Sequence, residues 1–599
     1  MSGPPDARAL HAEGVALAAA GDNKGAIDTI VRAARAAPGN PNLYSDLGVI
    51  YRRLGLVPRA IAAYRRAVAV APGHAGAWFN LGNALRDSGR TGEAAEAYRR
   101  SIAADPTSVT AYANLGLVLI DLGRTEDAVE VLERGLLVDP GHADIHNNLG
   151  NALRARGEAE PAAAAYRRAI RAQPDYARGH VNLGITLREL GRVDEAFESY
   201  TRALEIDPDW PEAHNSLGVG LRDEGRAKEA VECYRRALDS DPDYADASAN
   251  LGVALVDLGD LDGAIAALDK AVAGAPGSAL FHWNRALALL SAGRLREGWA
   301  EFEWRWQKAD FTSPKRDFDQ PQWDGTPRPS STILVHAEQG LGDTLHFVRY
   351  VPRVAARVGR VVVECQPQLR DLVAPMPGVE DVVASGEALP AFDLHAPLLS
   401  LPGIFATDLD TIPAAVPYLK PLSGRSANLD GDGFKVGIAW AGSATHRNDH
   451  NRSIDLERFK PLLETPGCRF YALQVGEGRE QIEAAGLSGK IVDLGGGFAD
   501  FADTAATLAE LDLVISVDTA VAHLAGAMAR SVWVLLPFAP DWRWLRDRND
   551  SPWYPTMRLF RQKKAGEWKG VFTALGRALK SQAAPPRKRP APKRKKKDA

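Results

Sequence analysis

Cysteine is scarce in this chain, with three residues in 599, Cys233, Cys365 and Cys468. Their wide spacing fits neither a disulfide framework nor a zinc site, which favours a reducing compartment. Long apolar runs are missing as well, because no segment approaches the roughly 20 apolar residues that cross a bilayer. The N-terminal sequence has neither the charged start nor the apolar stretch of a signal peptide. We therefore expect a cytoplasmic protein with no metal site.

An excess of positive charge is confined to the C-terminus. The net charge is −4, but residues 587–599 carry eight lysine or arginine residues against Asp598, a local charge of +7 that leaves −11 on the rest. A proline-rich basic segment cannot bury enough apolar surface to fold, so 583–599 is predicted to be a disordered tail. It either contacts anionic surfaces or only aids solubility. Because no aromatic residue separates the charges, solubility is favoured and no specific nucleic-acid partner is expected.

The N-terminal half is dominated by a sequence repeat of 34 residues. A Leu-Gly pair recurs every 34 residues from Leu47 to Leu251, and tyrosines follow at the same step. Glycine in the first helix of each unit lets a neighbouring helix approach closely, and a second glycine suits the left-handed end of that helix. Each unit buries its apolar face only by stacking on the next. The period predicts eight full helix-turn-helix repeats over 7–278 and an altered ninth over 279–312 that caps the solenoid.

Asparagine recurs one position before most of these leucines. The period aligns the amides along one groove, and an amide can both donate to and accept from an extended peptide backbone. Asparagine is also common at this position in ordinary repeats, where it helps the fold, so both interpretations stay open. The predicted peptide-groove residues are Asn80, Asn114, Asn148, Asn182, Asn250 and Asn284.

The second half has a different pattern. After a proline- and aromatic-rich junction at 313–330, short β-branched runs alternate with helical segments, which is typical of α/β architecture. A Gly/Ser/Asp-rich linker at 421–433 divides the runs into two Rossmann-like halves, 331–420 and 434–582, that are expected to face each other across a cleft. Ligands of such sheets bind at the carboxyl ends of the strands, where the strand order reverses. The predicted strands are 332–337, 360–365, 381–385, 392–397, 435–442, 469–476, 490–495, 512–518 and 531–537.

Two of the predicted strand ends lead into helices. The predicted strand 332–337 is followed by a glycine turn and Asp343. This puts a carboxylate and bare main-chain N–H groups at one edge of the cleft. The alternative is that Asp343 only caps its own helix. The predicted strand 512–518 ends at Asp518, and Thr519 begins a helix that carries His523 about one turn later. A helix N-terminus with an exposed hydroxyl attracts phosphate, although a capping Asp with a satisfied helical histidine explains the same pattern.

A third strand end leads into a polar loop. Gly442 and Ser443 follow the strand, and Arg447 and Arg452 come next. Two guanidinium groups beside a cleft are suited to clamping a diphosphate. Plain solvation of both arginines at the surface is the alternative.

Three motifs carry a resemblance to a known family. The segment VISVDTAVAHLAGA resembles the D-T/S-x-x-x-H-L-A-G-A signature of heptosyltransferase-like nucleotide-sugar glycosyltransferases, and GLGDTLHF and GIAWAGS are similar to two further motifs of that family. The resemblance implies a GT-B fold, transfer without a catalytic metal and Asp343 as the base. It also implies that 331–420 is the acceptor side and 434–582 the nucleotide-sugar side. The donor-binding residues that it implies are Gly442, Ser443, Arg452, Asp518, Thr519, Ala520 and His523.

Two other motifs have plain explanations beside the functional ones. Asp408 and Asp410 form a D-x-D pair of the kind that metal-dependent transferases use, but such pairs occur often by chance. Trp542 and Trp544 either stack on a base or sugar or pack against the C-terminal helix. Neither motif changes the expectation of a metal-independent site.

The order of the two halves resembles bacterial tetratricopeptide-repeat glycosyltransferases, some of which modify flagellin or other proteins. The asparagine row is similar to that of the protein O-linked N-acetylglucosamine transferases. The predicted fold is thus an all-α tetratricopeptide-repeat superhelix, 1–312, followed by an α/β GT-B domain. We expect transfer of a sugar from a nucleotide-sugar co-substrate to a protein acceptor, with no other cofactor.

Two alternatives to this function stay open. In one, the acceptor is a glycan or a lipid-linked molecule and the repeats only dock the enzyme. In the other, the protein is a non-catalytic scaffold whose transferase-like region has lost its activity, and fold by itself does not decide against it. Pairing of repeat faces into a homo-oligomer also stays open.

Overall fold

A computed structural model describes residues 6–429, 431–443 and 448–583. The chain divides into two compact units, Met1–Pro242 and Asp243–Ala599. The predicted tail lies outside the described residues from 584 onward. Among the residues that are described, no helix combines the length and the apolarity that a membrane crossing requires.

The first unit is built from helix pairs of 13 and 14 residues. Its helices are α1 (Ala7–Ala19), α2 (Asn23–Ala36), α3 (Pro41–Arg53), α4 (Val57–Val70), α5 (Ala75–Asp87), α6 (Thr91–Ala104), α7 (Val109–Asp121), α8 (Thr125–Val138), α9 (Ala143–Ala155), α10 (Ala159–Ala172), α11 (Ala177–Glu189), α12 (Val193–Ile206), α13 (Pro211–Asp223) and α14 (Ala227–Ser240).

In each helix pair, glycine lies where the two helices approach most closely, as the 34-residue period predicts. A Cβ on Gly184 would lie 2.6 Å from the ring of Tyr200, and that ring is fully buried. Gly191 then ends the first helix of the pair with a φ of 73°, a left-handed conformation that glycine adopts without strain. The small residue therefore sets the distance between the two helices, and the tyrosine fills the seam.

The second unit begins with four more helices of the same kind. The last of them is short, packs onto the sheet region through its own Trp299, and continues into a 3₁₀ turn, Glu303–Gln307. The Trp299 indole N–H donates to the carbonyl of Thr407 at 3.1 Å. The helices are α15 (Ala245–Leu258), α16 (Leu261–Gly274), α17 (Ala279–Ser291) and α18 (Leu295–Phe302).

The first sheet has four parallel strands in the order β3-β2-β1-β4. Its strand order reverses between β1 and β4. The elements are β1 (Arg328–His336), α19 (Leu341–Phe347), α20 (Val351–Ala355), β2 (Val358–Cys365), α21 (Arg370–Val373), β3 (Asp381–Ala384), β4 (Leu394–Pro397) and α22 (Leu401–Ile404).

The second sheet has six parallel strands in the order β10-β9-β8-β5-β6-β7. Its strand order reverses between β5 and β8, and β8 and β9 are buried along their whole length. The elements are β5 (Phe434–Ala439), α23 (Asp449–Arg452), α24 (Lys460–Leu463), β6 (Cys468–Ala472), α25 (Gln481–Ala484), β7 (Ile491–Asp493), α26 (Phe501–Glu510), β8 (Leu513–Val517), α27 (Ala520–Ala527), β9 (Val532–Leu536), β10 (Met557–Arg561) and α28 (Trp568–Gln582).

Each of the nine predicted strand segments overlaps one of these strands. Five segments contain their strand, while β1, β2, β5 and β6 begin one to four residues before the predicted start. The tenth strand, β10, was not predicted. Its sequence, MRLFR, mixes apolar residues with two arginines, and it pairs with β9 at the edge of the sheet. A parallel α/β region after an all-helical region is therefore confirmed, while the two-half GT-B arrangement stays a prediction.

Candidate functional site

The site lies at the reversal point of the second sheet. Asp518 follows β8, and Thr519 occupies the N-cap position of α27 with extended backbone. Gly442 follows the neighbouring strand β5, which pairs with β8 through Ala439 and Ser516. Because the carboxyl ends of parallel strands meet at one sheet edge, these predicted residues come together there.

Arg452 joins this edge from α23. Its Nη1 donates to the main-chain carbonyl of Asp518 at 3.2 Å, and its Nε donates to Asp449 Oδ1 at 3.0 Å. The Ser453 hydroxyl bonds to the other Asp449 oxygen at 2.8 Å and accepts from the Gly442 N–H at 2.9 Å. A Cβ on Gly442 would meet the Arg452 guanidinium and would lie 2.6 Å from Asp449 Oδ1, so a larger residue there would displace this pair. Arg447 lies outside the described residues.

Asp518 is a largely buried carboxyl, with 15% of its side chain exposed, and it has an unusual affinity for protons. Burial, together with the nearby charge of Asp541, raises its pKa from 3.8 to about 6, although the Trp544 indole and the cations Arg543 and Arg452 act in the opposite direction. The carboxyl therefore changes charge close to neutral pH.

His523 stands beside Asp518, one turn into α27. Its Nε2 lies 3.7 Å from Asp518 Oδ1, and its Nδ1 lies 3.0 Å from the Tyr554 hydroxyl. Burial, followed by the charges of Arg543 and Arg349, holds the pKa of His523 well below its usual range. The imidazole is thus neutral, and it meets a ligand as a hydrogen-bonding group and not as a cation.

The first sheet reaches the same place through α19. A Cβ on Gly342 would lie 3.3 Å from His523 Cδ2 and 3.6 Å from Ala520 Cα, so the starts of α19 and α27 are in van der Waals contact. Asp343 is the next residue of α19. The structure therefore brings the predicted base to the N-terminus of the helix that carries the predicted donor residues.

Asp343 is engaged through both of its oxygens. Oδ2 accepts from the main-chain N–H of Gly340 at 3.1 Å, which is the capping role considered as the alternative. Oδ1 forms an ion pair with Arg543 Nη2. The carboxylate thus caps its own helix and also reaches across to the second sheet.

Arg543 is the site residue that the sequence reasoning missed. Its Nη1 bonds to Asp541 Oδ1 at 2.9 Å, and its guanidinium lies over the rings of Trp542 and Phe347 at 4.5 and 5.5 Å. Only 11% of its side chain is exposed. An arginine between two tryptophans after a strand was the available signal, but only the tryptophans were considered. Trp542 and Trp544 themselves are buried, which agrees with the packing explanation.

A second network joins the two sheet regions beneath this pair. The Tyr554 hydroxyl lies 3.0 Å from Nδ1 of both His346 and His523. Arg349 donates to the carbonyl of Trp553 at 2.6 Å and to the Tyr418 hydroxyl at 3.0 Å. The contact between α19 and α27 is therefore held by several buried polar bonds.

The asparagine row is used, at least in part, within the repeats. The side-chain N–H groups of Asn114 and Asn182 donate to Asn83 and Asn147 of the preceding repeat at 3.1 and 2.8 Å. Asn148 donates to the carbonyl of Ala113 at 3.1 Å. Asn80, Asn250 and Asn284 are half-buried. These bonds support the structural interpretation, and peptide binding by the row stays a prediction.

The D-x-D pair is part of a turn. Asp408 accepts from Thr411 and from Arg296, whose Nη2 lies 2.8 Å from Asp408 Oδ2. Across the described part of the chain, no group of three or more His, Cys, Asp or Glu residues is placed to hold a metal ion.

The repeat region is the part of the chain that matches known family models. Residues 1–217 match the model described as Cilia and flagella-associated protein 70 C-terminal domain, and 216–279 and 256–302 match the Tetratricopeptide repeat model. The N-terminal half of the chain is a tetratricopeptide-repeat region. Such repeats present extended binding surfaces, commonly for peptides or proteins.

One curated protein and two solved structures illustrate what the chain is similar to. The chain is 29% identical to Protein FlbA of Caulobacter vibrioides over 327 residues, 49% of this chain and 54% of FlbA. It thus spans about half the length of the curated relative that it matches. Among solved structures, MamA is 30% identical to the chain. The match covers 27% of this chain and 95% of MamA, with a TM-score of 0.25. YrrB, titled a TPR protein with an unusual peptide-binding site, is 23% identical to the chain. The match covers 31% of this chain and 95% of YrrB, with a TM-score of 0.25.

Proposed function

We propose that the protein is a cytoplasmic, metal-independent GT-B glycosyltransferase that moves a sugar from a nucleotide-sugar donor to a protein held by the tetratricopeptide repeats. The observation that carries the proposal is the meeting of Asp343 with the start of α27, beside Arg452 and Asp518. In this proposal the two parallel sheets are the Rossmann-like halves. The donor binds where the second sheet reverses its strand order.

The start of α27 offers what a diphosphate needs. Its first main-chain N–H groups, including that of Ala520, have no partner within the helix, and the helix dipole favours negative charge at this end. Thr519 adds a hydroxyl and Arg452 a guanidinium. Together these groups would meet the charge that develops on the leaving nucleoside diphosphate, so the step needs no metal ion.

The transfer itself requires one base. In the proposed step, Asp343 accepts the proton of the acceptor hydroxyl as that oxygen forms a bond to the anomeric carbon. The bond from the anomeric carbon to the diphosphate breaks, and the nucleoside diphosphate leaves with the electron pair. The proton then passes from Asp343 to water.

Two observations favour the other candidates. Amides of Asn114, Asn148 and Asn182 bond to the preceding repeat, which weakens the case for a peptide ladder and favours repeats that dock a glycan-modifying or lipid-modifying enzyme. Both oxygens of Asp343 are engaged, which favours a non-catalytic scaffold.

Binding of the donor is the first property to measure. The wild-type protein is titrated calorimetrically with UDP-, GDP-, ADP- and CMP-linked sugars, beside Asp518→Asn and a matched control, Asp493→Asn. Asp493 ends β7 of the same sheet but pairs with Arg479 at the surface. We expect one nucleotide class to bind, to lose affinity in Asp518→Asn and to keep it in Asp493→Asn.

The class that binds is then tested for transfer of labelled sugar to protein in the presence of a chelator. Label on protein supports the proposal, and label only on glycan or lipid supports the second candidate. If no nucleotide sugar binds, the scaffold is the better description.

A further inference from the structure

Arg543 connects the predicted base with the predicted donor site. It is paired with Asp343 of α19 and with Asp541, and Trp542 and Phe347 enclose its guanidinium. After burial, Arg543 is also the strongest influence that lowers the pKa of His523, which places its charge close to the start of α27.

The hydrogen bonds of Arg543 are incomplete. A guanidinium has five N–H donors, and Nε is buried without a hydrogen-bond partner among the described residues. A buried donor without an acceptor costs free energy, so natural proteins seldom keep one unless a ligand or a functional strain explains it. An oxygen of a diphosphate is a strong acceptor for such a group.

The ion pair with Asp343 is one of several polar contacts between the two sheet regions. Tyr554 already bridges His346 and His523, and Arg349 bonds to Trp553 and Tyr418. The pair does have a chemical consequence. A guanidinium beside a carboxylate stabilises the charged form, so Asp343 is a poor proton acceptor while Arg543 remains on it.

We propose that Arg543 is a ligand of the donor's diphosphate, and that the bound diphosphate draws Arg543 away from Asp343 and leaves that carboxylate able to accept the acceptor's proton. The inference rests on the proposed function and adds a residue and an order of events. Before the donor binds, the base is paired and inactive. Once the diphosphate has bound, Asp343 loses its countercharge and becomes the stronger base that the transfer step uses.

The proposal makes opposite predictions for the two partners of the ion pair. Wild-type protein, Arg543→Gln, Asp343→Asn and the control Arg548→Gln are titrated calorimetrically with UDP, GDP and ADP, each without a sugar. Arg548 pairs with the exposed Asp550 and serves as the surface control. We expect Arg543→Gln to weaken binding of the nucleoside diphosphate by about tenfold or more, because a charged hydrogen bond is lost.

We expect Asp343→Asn to strengthen binding by severalfold, because Arg543 no longer leaves a carboxylate to reach the diphosphate. A merely structural ion pair would make both variants bind more weakly, since either substitution breaks it. Unchanged binding in Arg543→Gln, or weaker binding in Asp343→Asn, overturns the inference while the proposed function stands. Absence of binding in the wild type overturns both.

Folding of each variant is checked by thermal unfolding monitored by circular dichroism. If Arg543→Gln does not fold, Arg543→Lys keeps the charge but loses the fork of donors. It should then bind the diphosphate more weakly than wild type. Lysine binding as tightly as arginine would overturn the inference as well.

Discussion

A Cβ on Gly82 would lie 2.6 Å from Cε1 of Tyr98, a side chain with no exposed surface. The separation of α5 and α6 is therefore set by the missing side chain. We expect Gly82→Ala to lower the free energy of unfolding by about 1–3 kcal/mol, because an extra carbon in a full interior forces neighbouring atoms apart. Urea denaturation followed by circular dichroism measures the change.

Gly92 provides the matched control for that substitution. It lies in α6, and a Cβ there meets nothing within 4 Å. Alanine at this position should keep or slightly raise the stability, because alanine favours the helix. Equal losses of stability in Gly82→Ala and Gly92→Ala would contradict the role of the Gly82–Tyr98 contact.

The cap of the repeats is joined to the first sheet by a buried ion pair. Arg305 Nη2 lies 2.8 Å from Glu338 Oε1 and from the Ser400 hydroxyl, and both charged side chains are almost completely buried. Burial raises the pKa of Glu338, and Arg305 opposes that effect. Arg305→Met should reduce the free energy of unfolding by about 3–5 kcal/mol, because it leaves a buried carboxylate without its partner.

The double variant Arg305→Met/Glu338→Leu tests the cause of that loss. With both charges gone, it should lose less stability than Arg305→Met alone. Chemical denaturation of the two variants gives the comparison. A double variant that is less stable than the single one would show that the packing, and not the unpaired charge, decides the result.

The amide of Asn182 has a structural role that can be separated from peptide binding. It donates to Asn147 Oδ1 at 2.8 Å and so links its own repeat to the preceding one. Asn182→Ala should lower the free energy of unfolding by about 1 kcal/mol, the usual net value of such a bond. Asn284→Ala, at the end of the row, is the comparison. A loss of stability confined to Asn182→Ala would support the structural interpretation of the row.

The repeats could be predicted in detail because each of their signals is local and recurs. Gly184 and Tyr200 are 16 residues apart, and the same pair returns in most other units. The strands were found from their apolar runs, except for β10, whose arginines hide an edge strand. Arg543 was missed because its partner Asp343 lies 200 residues away, and an ion pair at that separation leaves no local pattern.

The carboxyl of Asp518 should make stability depend on pH. Its pKa is raised from 3.8 to about 6 in the folded protein, by burial first and then by Asp541. Between these values the folded state binds more protons than the unfolded state, so the free energy of unfolding falls as pH rises through this window. Above it, the buried charge costs about 3 kcal/mol.

Asp518→Asn removes this cost and should therefore be more stable than wild type at pH 7. The advantage should shrink as the pH is lowered from 7 to 4, because wild-type Asp518 becomes neutral as well. Urea denaturation at pH 4, 5, 6 and 7 measures the difference in the free energy of unfolding between Asp518→Asn and wild type. A gap between Asp518→Asn and wild type that stays constant over this range would contradict the raised pKa. If the gap grows as the pH rises from 4 to 7, the carboxyl is retained at a cost in stability, which is the pattern expected of a residue kept for binding or catalysis.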